Sequence, residues 1–321
     1  MSGREPPRSG GSRRGGPRAR RGAERAMVPD VEVRTYYDKP ILKPPVWKWF
    51  IPAYFFTGGV AAGSAMLALG ARLTGNKLLA RQSRLVTQAC LGLSTAFLVK
   101  DLGRPARALN MLRVLKPTSP MSVGSWLLGA FGSAAAAGAA SDLLGILPRA
   151  GALADAAAGA LGPAVATYTG VLIADTAVPA WHEARRELPF VFAGSAAASA
   201  GGIAVALAPP ATAGPARRVL VAGAALELAA MEALHRRIGP EFAETYETGL
   251  AGRLATASKA LTASGAVIAL LGGRRRRPLA VVGGLAVAAG SALQRFAIFE
   301  AGKAAARDPK YVVGPQRRDL P

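Results

Sequence analysis

The chain has 321 residues, 51% of them hydrophobic and 18% charged, with 38 Gly, 23 Pro and a mean hydropathy of +0.25. That balance excludes an ordinary soluble enzyme of this size. Forty Lys and Arg against 19 Asp and Glu give a formal charge of +21, yet the cations lie in tails and between apolar runs and aromatics are only 6%; no basic face interleaved with aromatics exists, and nucleic acid is excluded as a partner.

Residues 1–26 are Arg, Gly, Pro and Ser with almost nothing to bury, so they read as the core of a disordered basic tail spanning 1–35. The Arg pairs at 13–14 and 20–21 lack the apolar stretch that follows a twin-arginine signal, and Met27 is a second candidate start. From Trp47 onward, apolar runs of about 18–25 residues recur, the length a helix needs to cross about 30 Å of hydrocarbon. They predict eight spans at 47–71, 85–102, 121–142, 161–181, 188–208, 218–235, 254–272 and 278–301. The expected fold is therefore an all-α integral membrane protein whose eight transmembrane helices form two four-helix bundles. It sits in the cell membrane as a multi-pass protein with the lipid bilayer around it, a membrane domain at 36–302 and a C-terminal tail at 303–321. Small residues such as Gly58-Gly59, Gly63-Ser64 and Gly283-Gly284 predict close backbone-to-backbone packing.

Lys and Arg in the short loops do not orient the chain: ten fall on the side shared by the termini and eleven on the other, and only the basic tails favour termini inside. Ionisable groups within the spans are more informative, because they are costly in hydrocarbon. Asp101 ends the second span on the terminal side, and Asp175 and His182 lie at the terminal end of the fourth. Glu227, Glu232, Lys259 and Arg295 form a possible polar cluster in the second bundle. The opposite halves read as almost purely apolar, which gives no path for protons across the membrane and predicts a polar pocket opening to one face. Lys259 and Arg295 are long enough to snorkel and Glu232 is placed to pair with Arg236 at i,i+4, so for these three a structural role competes evenly with a functional one; Asp175 and Glu227 read as functional.

The single cysteine, Cys90, lies inside an apolar run, which leaves no thiolate set for an iron–sulfur cluster in this chain. Both histidines, His182 and His235, fall at span ends, so no facing pair exists to ligate a membrane haem. A histidine such as His182 is the usual side chain for proton exchange at a surface; an interfacial histidine beside Trp181 explains it equally.

The stretch FLVKDLGRPARALNMLRVLKPTSPMSVGSWLL at 97–128 resembles the signature of the NrfD/PsrC family, the membrane subunits of polysulfide-reductase-type molybdoenzymes. The resemblance extends through WKWFIPAYFFTGGVAAGSAML, TYTGVLIADTAVPAWHEA, LELAAMEALHRRIGP and QRFAIFEAGKAAARDPKYVVGPQR, and the lead-in TYYDKPILKPPVWKW is similar to members associated with formate dehydrogenase. It implies a subunit without a redox cofactor of its own that binds quinone, menaquinone or ubiquinone, as substrate. It also implies docking to a ferredoxin-like iron–sulfur subunit that serves a molybdopterin or tungstopterin catalytic subunit. Tyr168 matches the family position of a pocket tyrosine, a phenol able to hydrogen-bond a quinone carbonyl. Asp101, heading DLGRP, would relay protons or brace Arg104, although a helix-ending Gly-Arg-Pro is also a natural stop. Asp175 would be a second relay. Family pockets use a histidine near the start of the first span, where this chain offers Trp49 and Tyr54. That departure keeps open a purely structural anchor for the iron–sulfur subunit. A solute transporter is disfavoured, because the glycines read as packing positions and not as breaks at mid-membrane.

Overall fold

The computed structural model describes residues 41–104, 106–273 and 276–313, and the expectations for the basic N-terminal tail lie outside them. Among the described residues the chain is helix and connection with no strand. The helices are α1 (Phe50–Leu73), α2 (Lys77–Asp101), α3 (Arg107–Met111), α4 (Pro120–Leu144), α5 (Pro148–Ala174), α6 (Pro179–Glu183), α7 (Leu188–Leu207), α8 (Gly214–Arg237), α9 (Gly239–Glu247), α10 (Gly249–Leu271) and α11 (Arg277–Arg307). Six of them, α1, α4, α5, α7, α10 and α11, are long and apolar enough to cross a membrane by length and composition. The long helices α2 and α8 coincide with the other two expected spans but carry more charge at their ends.

Proline and capping residues set the starts. Pro120, Pro148, Pro179, Pro189, Pro215 and Pro278 each open a helix, where a missing N–H costs nothing. The Asn76 side chain accepts from Leu79 N at 3.2 Å to begin α2. Two boundaries move in a way that matters. α2 begins eight residues before the expected 85, and α5 begins thirteen before the expected 161 and ends at Ala174. The Ala-rich run from Gly151 sustains helix despite Asp155, and Pro179 forces a break, since it disfavours helical backbone in the residue before it.

The short helices α3, α6 and α9 all lie in connections on the terminal side, whereas the described opposite connections are the brief segments 74–76, 145–147 and 208–213. Helix α1 packs on α2, α5 and α7; α4 packs on α5; α7 packs on α8 and α11; and α10 packs on α11. Small residues bring these backbones together. A methyl on Gly63 of α1 would stand 2.5 Å from Ala196 O of α7, and one on Gly202 of α7 would stand 2.5 Å from Gly284 O of α11. α11 continues past the expected end at 301, and beyond it Tyr311 is buried against Phe242, with ring centroids 6.4 Å apart, while Lys310 pairs with Glu244 at 2.9 Å.

Candidate functional site

At the terminal end of α1, α2, α4 and α5, roofed by α3, the helices enclose a cavity of about 220 Å³. Its walls are apolar, with Ile51, Phe55, Leu98, Met121, Leu128 and Leu172 among them. Its polar groups are few: Tyr54, Tyr168, Asp101, Arg107 and Ser125. A concave apolar site with a small number of placed polar groups is the usual form of a small-molecule pocket.

The two phenols meet. Tyr54 of α1 is 4% exposed, and its hydroxyl hydrogen-bonds the hydroxyl of Tyr168 on α5. Ser94 of α2 donates to Tyr54 O at 3.3 Å and fixes the backbone behind that side chain. The Tyr168 ring lies over Gly124 of α4. Tyr54 thus stands beside Tyr168, and both line the cavity.

Trp49 is not part of that wall. It is 55% exposed and packs on Phe50 and Phe97 at the surface. Trp47 lines the cavity instead. It stacks on Trp181 at 5.9 Å, and Trp181, fully buried, stacks on Phe299 at 6.2 Å and donates from Nε1 to Ile298 O at 2.8 Å. Trp47 precedes α1, so no helical period in the sequence marks it as the tryptophan that faces inward.

Asp101, the last residue of α2, is half-buried at the cavity mouth. Arg104 is exposed and outside the cavity, and Arg107, which opens α3, takes the place at its edge. No feature of the loop's five cations marks which one turns inward. Asp175 closes the end of α5 and is exposed; His182 of α6 is exposed, with Nδ1 3.2 Å from Ala174 O. Both lie at the terminal surface, outside the cavity lining.

The expected cluster of Glu227, Glu232, Lys259 and Arg295 divides. Glu227 and Arg295 are each 1% exposed. Ser291 Oγ donates to Glu227 Oε2 at 2.8 Å, and Arg295 donates to Ser195 Oγ at 3.2 Å and Phe192 O at 2.8 Å, its guanidinium 3.7 Å from the Phe192 ring centroid. Arg295 therefore does not snorkel: α11 turns it into the core, where an aromatic face and two oxygens receive it. Glu232 and Lys259 are exposed and lie outside this core, and Glu232 accepts from Arg236 at 2.9 Å as the i,i+4 spacing expects.

The opposite ends of α1, α2, α4 and α5 correct a further expectation, because they are not almost purely apolar. Arg84 of α2 bridges Asp142 of α4 and Asp155 of α5, the latter at 2.8 Å, and Arg72 of α1 reaches Asp155 at 3.5 Å. Both Arg84 and Asp155 fall outside the spans that the apolar runs predict; the longer α2 and α5 carry them into the helical body.

A family model described as polysulphide reductase, NrfD, matches residues 40–233, a segment that includes every side chain of the cavity. No curated protein matches the chain.

Proposed function

The chain belongs to the NrfD polysulphide reductase family, whose members are membrane subunits of molybdoenzyme-type complexes, and from that membership and the cavity we propose that it is the quinone-reactive subunit of a molybdopterin oxidoreductase complex. In this reading all eight long helices cross the cell membrane as two four-helix bundles. The subunit exchanges electrons between an iron–sulfur partner and the quinone pool, and formate dehydrogenase is the complex its lead-in sequence favours. One observation carries the proposal: the Tyr54–Tyr168 hydroxyl pair faces an apolar slot whose mouth holds Asp101 and Arg107.

Reducing a quinone adds two electrons and two protons across its two carbonyl oxygens. The apolar walls suit the flat ring. Within the phenol pair one hydroxyl donates to the other, which leaves one O–H to donate to a carbonyl oxygen. Asp101, half-buried at the end of α2, is placed to take protons from surface water and pass them inward, and Arg107 beside the mouth offsets its charge. Electrons arrive from the partner. Lys100, Arg104, Arg113 and Lys116 are exposed around the mouth and offer an acidic ferredoxin-like surface a complementary landing. Pocket, docking surface and termini then share one face.

The test is electron transfer from the reduced iron–sulfur partner to a menaquinone analogue, measured with the whole complex in liposomes. Turnover in the wild type that falls by up to about tenfold in Tyr168→Phe supports the proposal. A complex that assembles but moves no electrons to quinone returns the chain to a structural anchor. Partner cross-links at Arg72, Lys77 or Arg277 would put docking on the wrong face.

A further inference from the structure

At the ends of α1, α2, α4 and α5 away from the termini, two cavities of about 320 Å³ and 470 Å³ adjoin. They share Arg81 and Arg84 of α2, Asp142 of α4 and Asp155 of α5, so they form one continuous site. Arg72 of α1 and Lys77, the first residue of α2, complete the smaller one. Four cations therefore meet two carboxylates. Arg84 bonds both Asp142 and Asp155, and Arg72 reaches Asp155 at 3.5 Å, which occupies the two acids. Lys77 and Arg81 are exposed and make no ion pair among the described residues. Spaced at i,i+4, they share one face of α2. The site holds two positive charges in excess, and an anion is the ligand that answers them.

Depth says which anion. The apolar run of α2 begins at 85, so the helix from Lys77 extends about 12 Å outside it. That is the level of lipid headgroups and not of hydrocarbon. Below the cations the larger cavity continues between α2 and α4, lined by Leu85, Ala139 and Leu143. Leu85 and Leu143 are exposed, so this apolar wall opens outward beside the charges. A soluble phosphate would use the cations and leave the leucines bare, whereas a phospholipid covers both.

We propose that this site binds an anionic phospholipid, its phosphate held by Lys77 and Arg81 and an acyl chain laid along Leu85 and Leu143 between α2 and α4. Arg84, tied to two helices through its carboxylates, sets the floor of the headgroup site. Lys77 lies about 36 Å along α2 from Asp101, so the site is separate from the cavity at the terminal end and independent of what that cavity binds.

The experiment titrates the purified full-length chain, in a neutral detergent, with phosphatidylglycerol, phosphatidylcholine and glycerol 3-phosphate, and reads bound ligand by native mass spectrometry. The wild type is expected to bind phosphatidylglycerol about twentyfold more tightly than phosphatidylcholine, a factor of about five for each unpaired cation. Lys77→Gln and Arg81→Gln should each reduce that preference to about fivefold, and the double variant should abolish it. Two single variants keep the test valid if one of them fails to fold. Arg218→Gln, which removes an exposed cation at the same side from α8, should leave the preference unchanged. Equal wild-type affinity for the two lipids overturns the proposal, as does a preference that survives in the double variant. An equal loss in Arg218→Gln overturns it too, since general surface charge then accounts for the binding. Glycerol 3-phosphate bound as tightly as phosphatidylglycerol would make the ligand a soluble phosphate and overturn the lipid assignment.

Discussion

Gly124 on α4 is the seat of the Tyr168 ring on α5: a methyl at position 124 would stand 2.6 Å from both Cδ2 and Cε2 of the phenol. Only hydrogen leaves the ring where its hydroxyl meets Tyr54. Gly124→Ala is therefore expected to cost about 1–3 kcal/mol in overpacking and to swing the phenol out of register. Quinone turnover by the reconstituted complex should drop by about tenfold, which corresponds to about 1.4 kcal/mol, while helical content by circular dichroism stays unchanged. Wild-type turnover in Gly124→Ala would remove Tyr168 from the working pocket.

Tyr54 and Tyr168 act through one hydrogen bond, so their effects should not add. Tyr54→Phe and Tyr168→Phe each remove an interaction of about 0.5–1.5 kcal/mol. The double variant should lose little more than Tyr168→Phe alone, a coupling that a double-mutant cycle on kcat/KM measures directly. Fully additive losses would mean the two phenols work apart.

Arg295 and Glu227 are buried in the same core, joined through Ser291 and Ser195. Removing only the cation leaves an uncompensated buried carboxylate, a change worth about 3–5 kcal/mol of destabilisation. Arg295→Met should lower the thermal midpoint in detergent sharply, and adding Glu227→Gln should restore most of it. A single variant as stable as the wild type would show that the carboxylate needs no partner there.

Asp155 of α5 ties its helix to α1 and α2 through Arg72 and Arg84, accepting from Arg84 at 2.8 Å with its side chain only 13% exposed. Asp155→Ala should destabilise by about 1.5–3 kcal/mol, the range for charge-assisted hydrogen bonds. Glu232→Ala breaks the exposed pair with Arg236 and should change stability by no more than about 0.5 kcal/mol. Detergent melting curves for the two variants compare them directly, and equal shifts would contradict the difference in burial.

The sequence by itself determined where the long helices run. About twenty apolar residues in succession leave no other way to satisfy the backbone in hydrocarbon, and prolines such as Pro120, Pro189 and Pro278 mark the starts. It also held the family resemblance, at 97–128 around Asp101 and in the separate TYTGVLIADTAVPAWHEA stretch around Tyr168. What it did not hold was rotation and depth. Ala and Gly cover every side of α4, α7 and α11, so no apolar stripe distinguishes the inward face as it would on a helix facing water. Whether Arg295 points to lipid or core, whether Trp47 or Trp49 faces the cavity, and that Arg84 and Asp155 meet inside the bundle were decided only by how these small-residue surfaces dock. At such contacts the backbones approach until their atoms touch, and that steric fit, absent from any local pattern, fixes which side chains are brought together.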